Sequence, residues 1–128
     1  MSKTALIVED EIFVALDLER ILTDAGYTVG AIAADRESAL KAADRCEVAF
    51  VDVNLRDGPS GPAIARAIAR DHDVKVVFVT ANPAQIEDAP AIGFVRKPFS
   101  DRAIRAAVSH AAGERPPLHD DGLVLIAT

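Results

Sequence analysis

Apolar and polar positions fall in short blocks along this chain, and the blocks set out its elements. The run "TALIV" (4–8) is apolar and closes on the acidic "EDE". A continuous apolar run of that length predicts a strand buried on both faces. From 11 to 25 the apolar residues recur at helical spacing. Val14, Leu18, Ile21, Leu22 and Ala25 share one face, and Gly26 stops the helix. "YTVGAIA" (27–33) predicts a second strand, and 36–43 a short helix with Asp35 as its N-cap. "VAFV" (48–51) predicts a third strand, ending at Asp52. "NLRDGPSG" (54–61) is rich in turn formers and predicts a loop. A helix over 62–72 carries Pro62 in its first turn. Strands follow at 74–79 and 92–96, and a last helix over 101–112 has Ser100 as its cap.

Apolar strands alternating with helices predict an α/β fold with right-handed crossovers. The expectation is a doubly wound five-stranded parallel sheet with the flavodoxin-like order 2-1-3-4-5. One crossover departs from the pattern. Only residues 81–91 separate the fourth and fifth strands, and they include Pro83 and Pro90. Parallel strands ordinarily need a crossover of about a dozen residues or more. The fourth helix is therefore expected to be shortened to a turn or absent. Residues 1–112 are expected to form one domain and 113–128 a tail that follows a Pro-Pro break. The tail's "LVLIA" is too short to be a domain or an output module. It is expected to cover apolar surface left by the lost helix, or to pair with the edge strand of a second chain.

Composition narrows the class. The formal charge of −6 argues against a broad nucleic-acid-binding surface. No leader-like segment and no bilayer-length apolar run is present, so a cytoplasmic protein with no membrane contact is expected. The lone Cys46 precedes an apolar run and reads as a buried small hydrophobe in a reducing compartment. His72, His110 and His119 are scattered, without metal-ligand spacing.

Ligands of an open parallel sheet bind at the carboxyl ends of its strands. Glu9 and Asp10 follow the first strand, Asp52 ends the third, Thr80 the fourth, and Lys97 follows the fifth. Grouped carboxylates call for a cation, and oxygen ligands suit Mg²⁺. A lone Lys suits a phosphate oxygen, and a Thr hydroxyl can donate to another. Together these are the parts of phosphoryl transfer to a carboxylate.

"LIVEDE", "FVDVN", "FVTA" and "GFVRKPFS", each at a strand end and in this order, resemble the receiver domain of two-component response regulators. The resemblance covers roughly residues 4–112. It implies Asp52 as phosphoacceptor and a Mg²⁺ site built from Glu9, Asp10, Asp52 and the Asn54 backbone carbonyl. It further implies Thr80 as switch hydroxyl, Lys97 as phosphate contact, a cis peptide bond at Lys97–Pro98 and Phe94 as rotating switch aromatic. The short, proline-rich crossover resembles that of atypical alphaproteobacterial stress and single-domain regulators. The implied partners are a sensor histidine kinase or histidine phosphotransfer protein, and a downstream protein. The usual receiver dimer uses the fourth helix, so a homodimer here would need a non-standard interface.

Two further expectations concern partners and activity. Ile12 and Leu16 lie opposite the core face of the first helix, an i, i+4 apolar pair suited to docking a phosphodonor. Asn54 stands where an aspartyl-phosphate phosphohydrolase would place a general acid, which disfavours turnover of small substrates. The expected role is a phosphoacceptor rather than an enzyme, with a phosphate sink or relay as the alternative.

Overall fold

A computed structural model of the chain describes residues 3–86, 89–114 and 122–126. Its elements in order are β1 (Thr4–Val8), α1 (Ile12–Asp24), β2 (Thr28–Ala33), α2 (Arg36–Ala42), β3 (Val48–Val51), α3 (Gly61–His72), β4 (Lys75–Thr80), β5 (Gly93–Arg96), α4 (Asp101–Ala111) and β6 (Leu123–Leu125). Single 3₁₀ turns follow α2 (Ala43–Arg45) and β4 (Pro83–Gln85). The strand order is β2-β1-β3-β4-β5-β6.

The central strands are apolar on both faces, and alternate residues feed a core on each side. Val8, Val51, Phe78, Ile64 and Ile68 pack on the side of α2 and α3. Ile7, Phe50, Val77, Leu18, Ile21 and Ile104 pack on the side of α1 and α4. Register brings the strand ends to one edge: Val8 pairs with Val51, and Val51 with Phe78. Backbone bonds carry the register one residue further, from Glu9 N–H to the Ala33 carbonyl (2.8 Å) and from Asp52 N–H to the Val8 carbonyl (2.9 Å). The caps read from the sequence form. Asp35 accepts from the Ser38 N–H, Ser100 accepts from the Ala103 N–H, and Gly26 adopts φ +93° just past α1.

Two glycines allow close approaches. A Cβ at Gly61 would collide with the Asp52 carbonyl oxygen and lie 2.6 Å from Val53 Cα. The start of α3 is thus pressed against the backbone at the end of β3. A Cβ at Gly93 would lie 2.6 Å from the Val124 carbonyl oxygen.

That second approach belongs to a correction. Among the described residues the sheet has six strands, not five, and is not wholly parallel. β6 pairs antiparallel with β5, Gly93 opposite Leu125 and Phe94 opposite Val124. The tail strand covers its own chain's edge. Leu123 packs on the α1/α4 core and Ile126 on the α2/α3 core, which anchors the strand on both faces.

The β4–β5 crossover is as short as its prolines imply. Among the described residues it holds one 3₁₀ turn and no α-helix, with residues 87–88 outside them. Ile86, Ala89 and Ala91 are buried in the α2/α3 core and replace a helix's apolar face. Across the molecule, Arg20 of α1 bridges to Asp101 of α4 at 3.1 Å. Among the described residues no helix is long and apolar enough to cross a membrane. Cys46 is a buried free thiol, and its Sγ–H donates to the Ala42 carbonyl.

Candidate functional site

The carboxyl edge of the sheet gathers charge into a small volume. Lys97 Nζ lies 2.9 Å from Asp52 Oδ2 and 2.7 Å from Glu9 Oε1. Its other acidic neighbour, Glu11, is 3.6 Å away and exposed. The three inner side chains are withdrawn from water: Glu9 is 1% exposed, Asp52 8% and Lys97 15%. Asp10 is exposed at the rim, yet it offers an oxygen within 4.8 Å of oxygens from Glu9 and Asp52.

The local fold explains these positions. Glu9 turns back at the end of β1, where its Oε2 accepts the Glu11 N–H at 3.1 Å. Asp52 Oδ1 accepts a long bond from the Asn54 N–H, 3.4 Å. Lys97 follows β5, and its N–H donates to the Thr80 carbonyl at 3.0 Å. The Lys97–Pro98 peptide bond is cis. Thr80 is buried, and its Oγ1 accepts the Asn82 N–H at 3.0 Å. Phe94 is half-buried on the α2/α3 side, in register between Phe78 of β4 and Val124 of β6.

Electrostatics follow from burial. Desolvation pushes the Glu9 carboxyl up to about 7 from 4.5, against the pull of the Lys97 bond and the Glu11 N–H. The Asp52 charge adds to the rise. Burial alone would lower the Lys97 ammonium, but its bonds to Glu9 and Asp52 hold it above its ordinary value. One cation thus faces two inner carboxylates, and the negative charge is under-compensated.

The residues fit a small hard divalent cation. Glu9 Oε1 is fully enclosed and meets the Lys97 ammonium at 2.7 Å, a cation it has to share with Asp52. The donors are all oxygens, as Mg²⁺ requires, and the exposed Asp10 side leaves room for the waters it retains.

A doubly wound sheet with an acidic cluster and a lysine at its carboxyl edge defines a receiver. The chain matches the response regulator receiver domain over residues 5–109, and it belongs to that family. The phyllosphere-induced regulator PhyR of Methylorubrum extorquens is 32% identical over 117 residues, 87% of this chain and 44% of PhyR. The chain therefore spans less than half the length of that relative. The receiver domain of the Erythrobacter litoralis PhyR response regulator superposes with a TM-score of 0.81 at 31% identity, covering 92% of this chain and 96% of that one. The anti-anti-sigma factor PhyR from Bartonella quintana superposes with a TM-score of 0.77 at 27% identity, covering 87% of this chain and 48% of that one.

The structure brings Glu9, Asp10, Asp52 and Lys97 together, with Asn54 on the adjoining loop and Thr80 at the end of β4. Ile12 and Leu16 are exposed on α1, 56% and 46%. Sequence reasoning passed over Phe13, which is 83% exposed between them. Phe13 also lines a groove of about 490 Å³ with Val14, Ala81, Pro98 and Phe99, beside Lys97. The signal was present: five consecutive apolar residues, 12–16, are more than one buried stripe can use. A second omission was Gln85, whose Oε1 accepts from Asn54 Nδ2 at 2.8 Å. Residues 31 positions apart gave no sequence signal of that contact.

Proposed function

We propose that the chain is a phosphorylation-gated receiver, with Asp52 as the phosphoacceptor. The observation that carries this reading is the inner cluster: Asp52 Oδ2 and Glu9 Oε1 converge on Lys97 Nζ at 2.9 and 2.7 Å, at the carboxyl edge of the sheet. The donor is a phosphohistidine on a sensor kinase or histidine phosphotransfer protein. An Asp52 carboxylate oxygen attacks phosphorus in line, the P–N bond breaks, and the imidazole leaves with the bonding pair. The product is an acyl phosphate. Lys97 stays beside it as the compact counter-charge. Thr80 turns its hydroxyl from the Asn82 N–H toward a phosphoryl oxygen, and Phe94 moves into the space so vacated.

Glu9, Asp10, Asp52 and the Asn54 backbone carbonyl would hold Mg²⁺. When bound, that ion supplies neutralisation of the charge on the transferring group. The exposed apolar residues Ile12, Phe13 and Leu16 flank the groove beside Lys97 and would receive the phosphodonor. Signal would leave through a protein partner, a reading supported by likeness to about half of an anti-anti-sigma factor. In this role the protein is a cytoplasmic phosphoacceptor rather than a turnover enzyme.

The test is intact-mass spectrometry after incubation with acetyl phosphate and Mg²⁺. Wild type should gain the mass of one phosphoryl group, and Asp52→Asn should gain none. A mass gain that persists in Asp52→Asn refutes the assignment.

A further inference from the structure

The loop after β3 and the crossover after β4 meet in front of the cluster. Asn54 Nδ2 donates to Gln85 Oε1 at 2.8 Å. Both side chains are exposed, and an isolated surface amide pair would count for little. Here both backbones are fixed. The Gln85 N–H donates to the Asn82 carbonyl at 3.0 Å, a bond within the 3₁₀ turn that does not involve the Thr80 hydroxyl. On the far side Ile86 is buried, and its N–H returns to the Pro83 carbonyl at 3.2 Å. Asn54 is held in turn between Asp52 Oδ1, which its N–H approaches, and the buried Leu55, whose backbone pairs with Gly58. The fixed backbones leave only side-chain rotamer entropy to oppose the bond, although for an exposed Gln that cost is substantial.

We propose that Gln85 is a positioning residue for the chemistry at Asp52. Its amide holds the Asn54 side chain across the solvent side of the phosphoacceptor and limits the approach of water to the acyl phosphate. The one-turn crossover makes this reach available, since Gln85 sits at the end of that turn. The inference rests on the phosphoacceptor reading given above. It adds a determinant of acyl phosphate lifetime that lies outside the inner cluster.

The experiment uses the full chain, phosphorylated with acetyl phosphate, freed of reagent and followed by intact mass as the phosphoryl group is lost. Gln85→Met keeps the length of the side chain and removes the acceptor. It should shorten the lifetime severalfold, up to about tenfold, the range one hydrogen bond can supply. In an Asn54→Ala background the same substitution should change nothing further. Without phosphate, amide hydrogen exchange over 82–86 should quicken in Gln85→Met while β3 and β4 stay protected. Normal phosphoryl uptake with an unchanged lifetime overturns this inference alone, and so does an equal effect in both backgrounds. A wild-type chain that takes up no phosphoryl group overturns the phosphoacceptor reading, and this inference falls with it.

Discussion

Glu9→Gln isolates the energetic cost of the inner cluster. The Glu9 side chain is 1% exposed, and burial, the largest cause, lifts its carboxyl from 4.5 to about 7. The unfolded chain therefore releases this proton near pH 4.5, while the folded chain keeps it to about pH 7. Between those values the native state binds more protons, so stability falls as pH rises through the window and levels off above it. At about 1.4 kcal/mol per unit, the rise corresponds to an upper limit of about 3 kcal/mol. Gln keeps the shape and removes the ionisation. In the presence of a chelator, the variant should match wild type at about pH 4 and exceed it at about pH 8, by as much as 3 kcal/mol. For a chain of this size that is about 10 °C in thermal midpoint. Urea unfolding at the two pH values measures it, and titrating groups that do not touch Glu9 cancel in the difference. Added Mg²⁺ should stabilise wild type at high pH more than the variant, because the ion offsets the charge that Gln lacks. Parallel pH profiles for the two proteins would refute the reasoning.

Three further substitutions probe separate contacts. Gly61→Ala drives a Cβ into the Asp52 carbonyl and to within 2.6 Å of Val53 Cα, so it should cost about 1–3 kcal/mol in urea unfolding and slow acetyl phosphate labelling. Unchanged stability and rate would contradict the close approach of α3 to β3. Gly93→Ala places a Cβ 2.6 Å from the Val124 carbonyl oxygen and should release β6. Hydrogen exchange at Leu123–Ile126 would rise while β4 stays protected, and persisting protection of the tail strand would count against the pairing. Ile12→Lys should slow phosphotransfer from a histidine donor protein and spare labelling by acetyl phosphate; equal loss in both assays would remove α1 as the docking face.

Most of the scaffold was legible because its signals are local. The apolar runs read at 48–51 and 74–79 suit burial on both faces, and they became β3 and, shifted by one residue, β4 (Lys75–Thr80). Asp35, Ser100 and Gly26 marked helix ends through chemistry confined to a few neighbours. The convergence of Glu9, Asp52 and Lys97 followed once the strands were parallel, since each lies just past a strand end. β6 was not legible as a strand of this sheet. Three residues carry no period, and their partner is selected by a missing side chain at Gly93, a tertiary fact. The α1 wheel placed Val14 with the core residues, whereas Ala15 is fully buried and Val14 half-buried. The apolar stretch 12–16 runs around the helix, and only packing decides where its buried stripe is centred. Gln85 was invisible for the same reason as β6, because its partner is distant in sequence.

β6 also bears on how this protein fails. A bare strand edge is a row of unpaired N–H and C=O groups, ready to template pairing with another chain. Among the described residues β5 is shielded by the short β6, where Val124 and Leu125 are half open to water. Mild heating or low denaturant would peel this strand away before either core loosens. The resulting species would be nearly native, with a newly sticky flank. Light scattering that rises with protein concentration, at temperatures below the unfolding midpoint, would be its signature: this receiver should aggregate from a folded state.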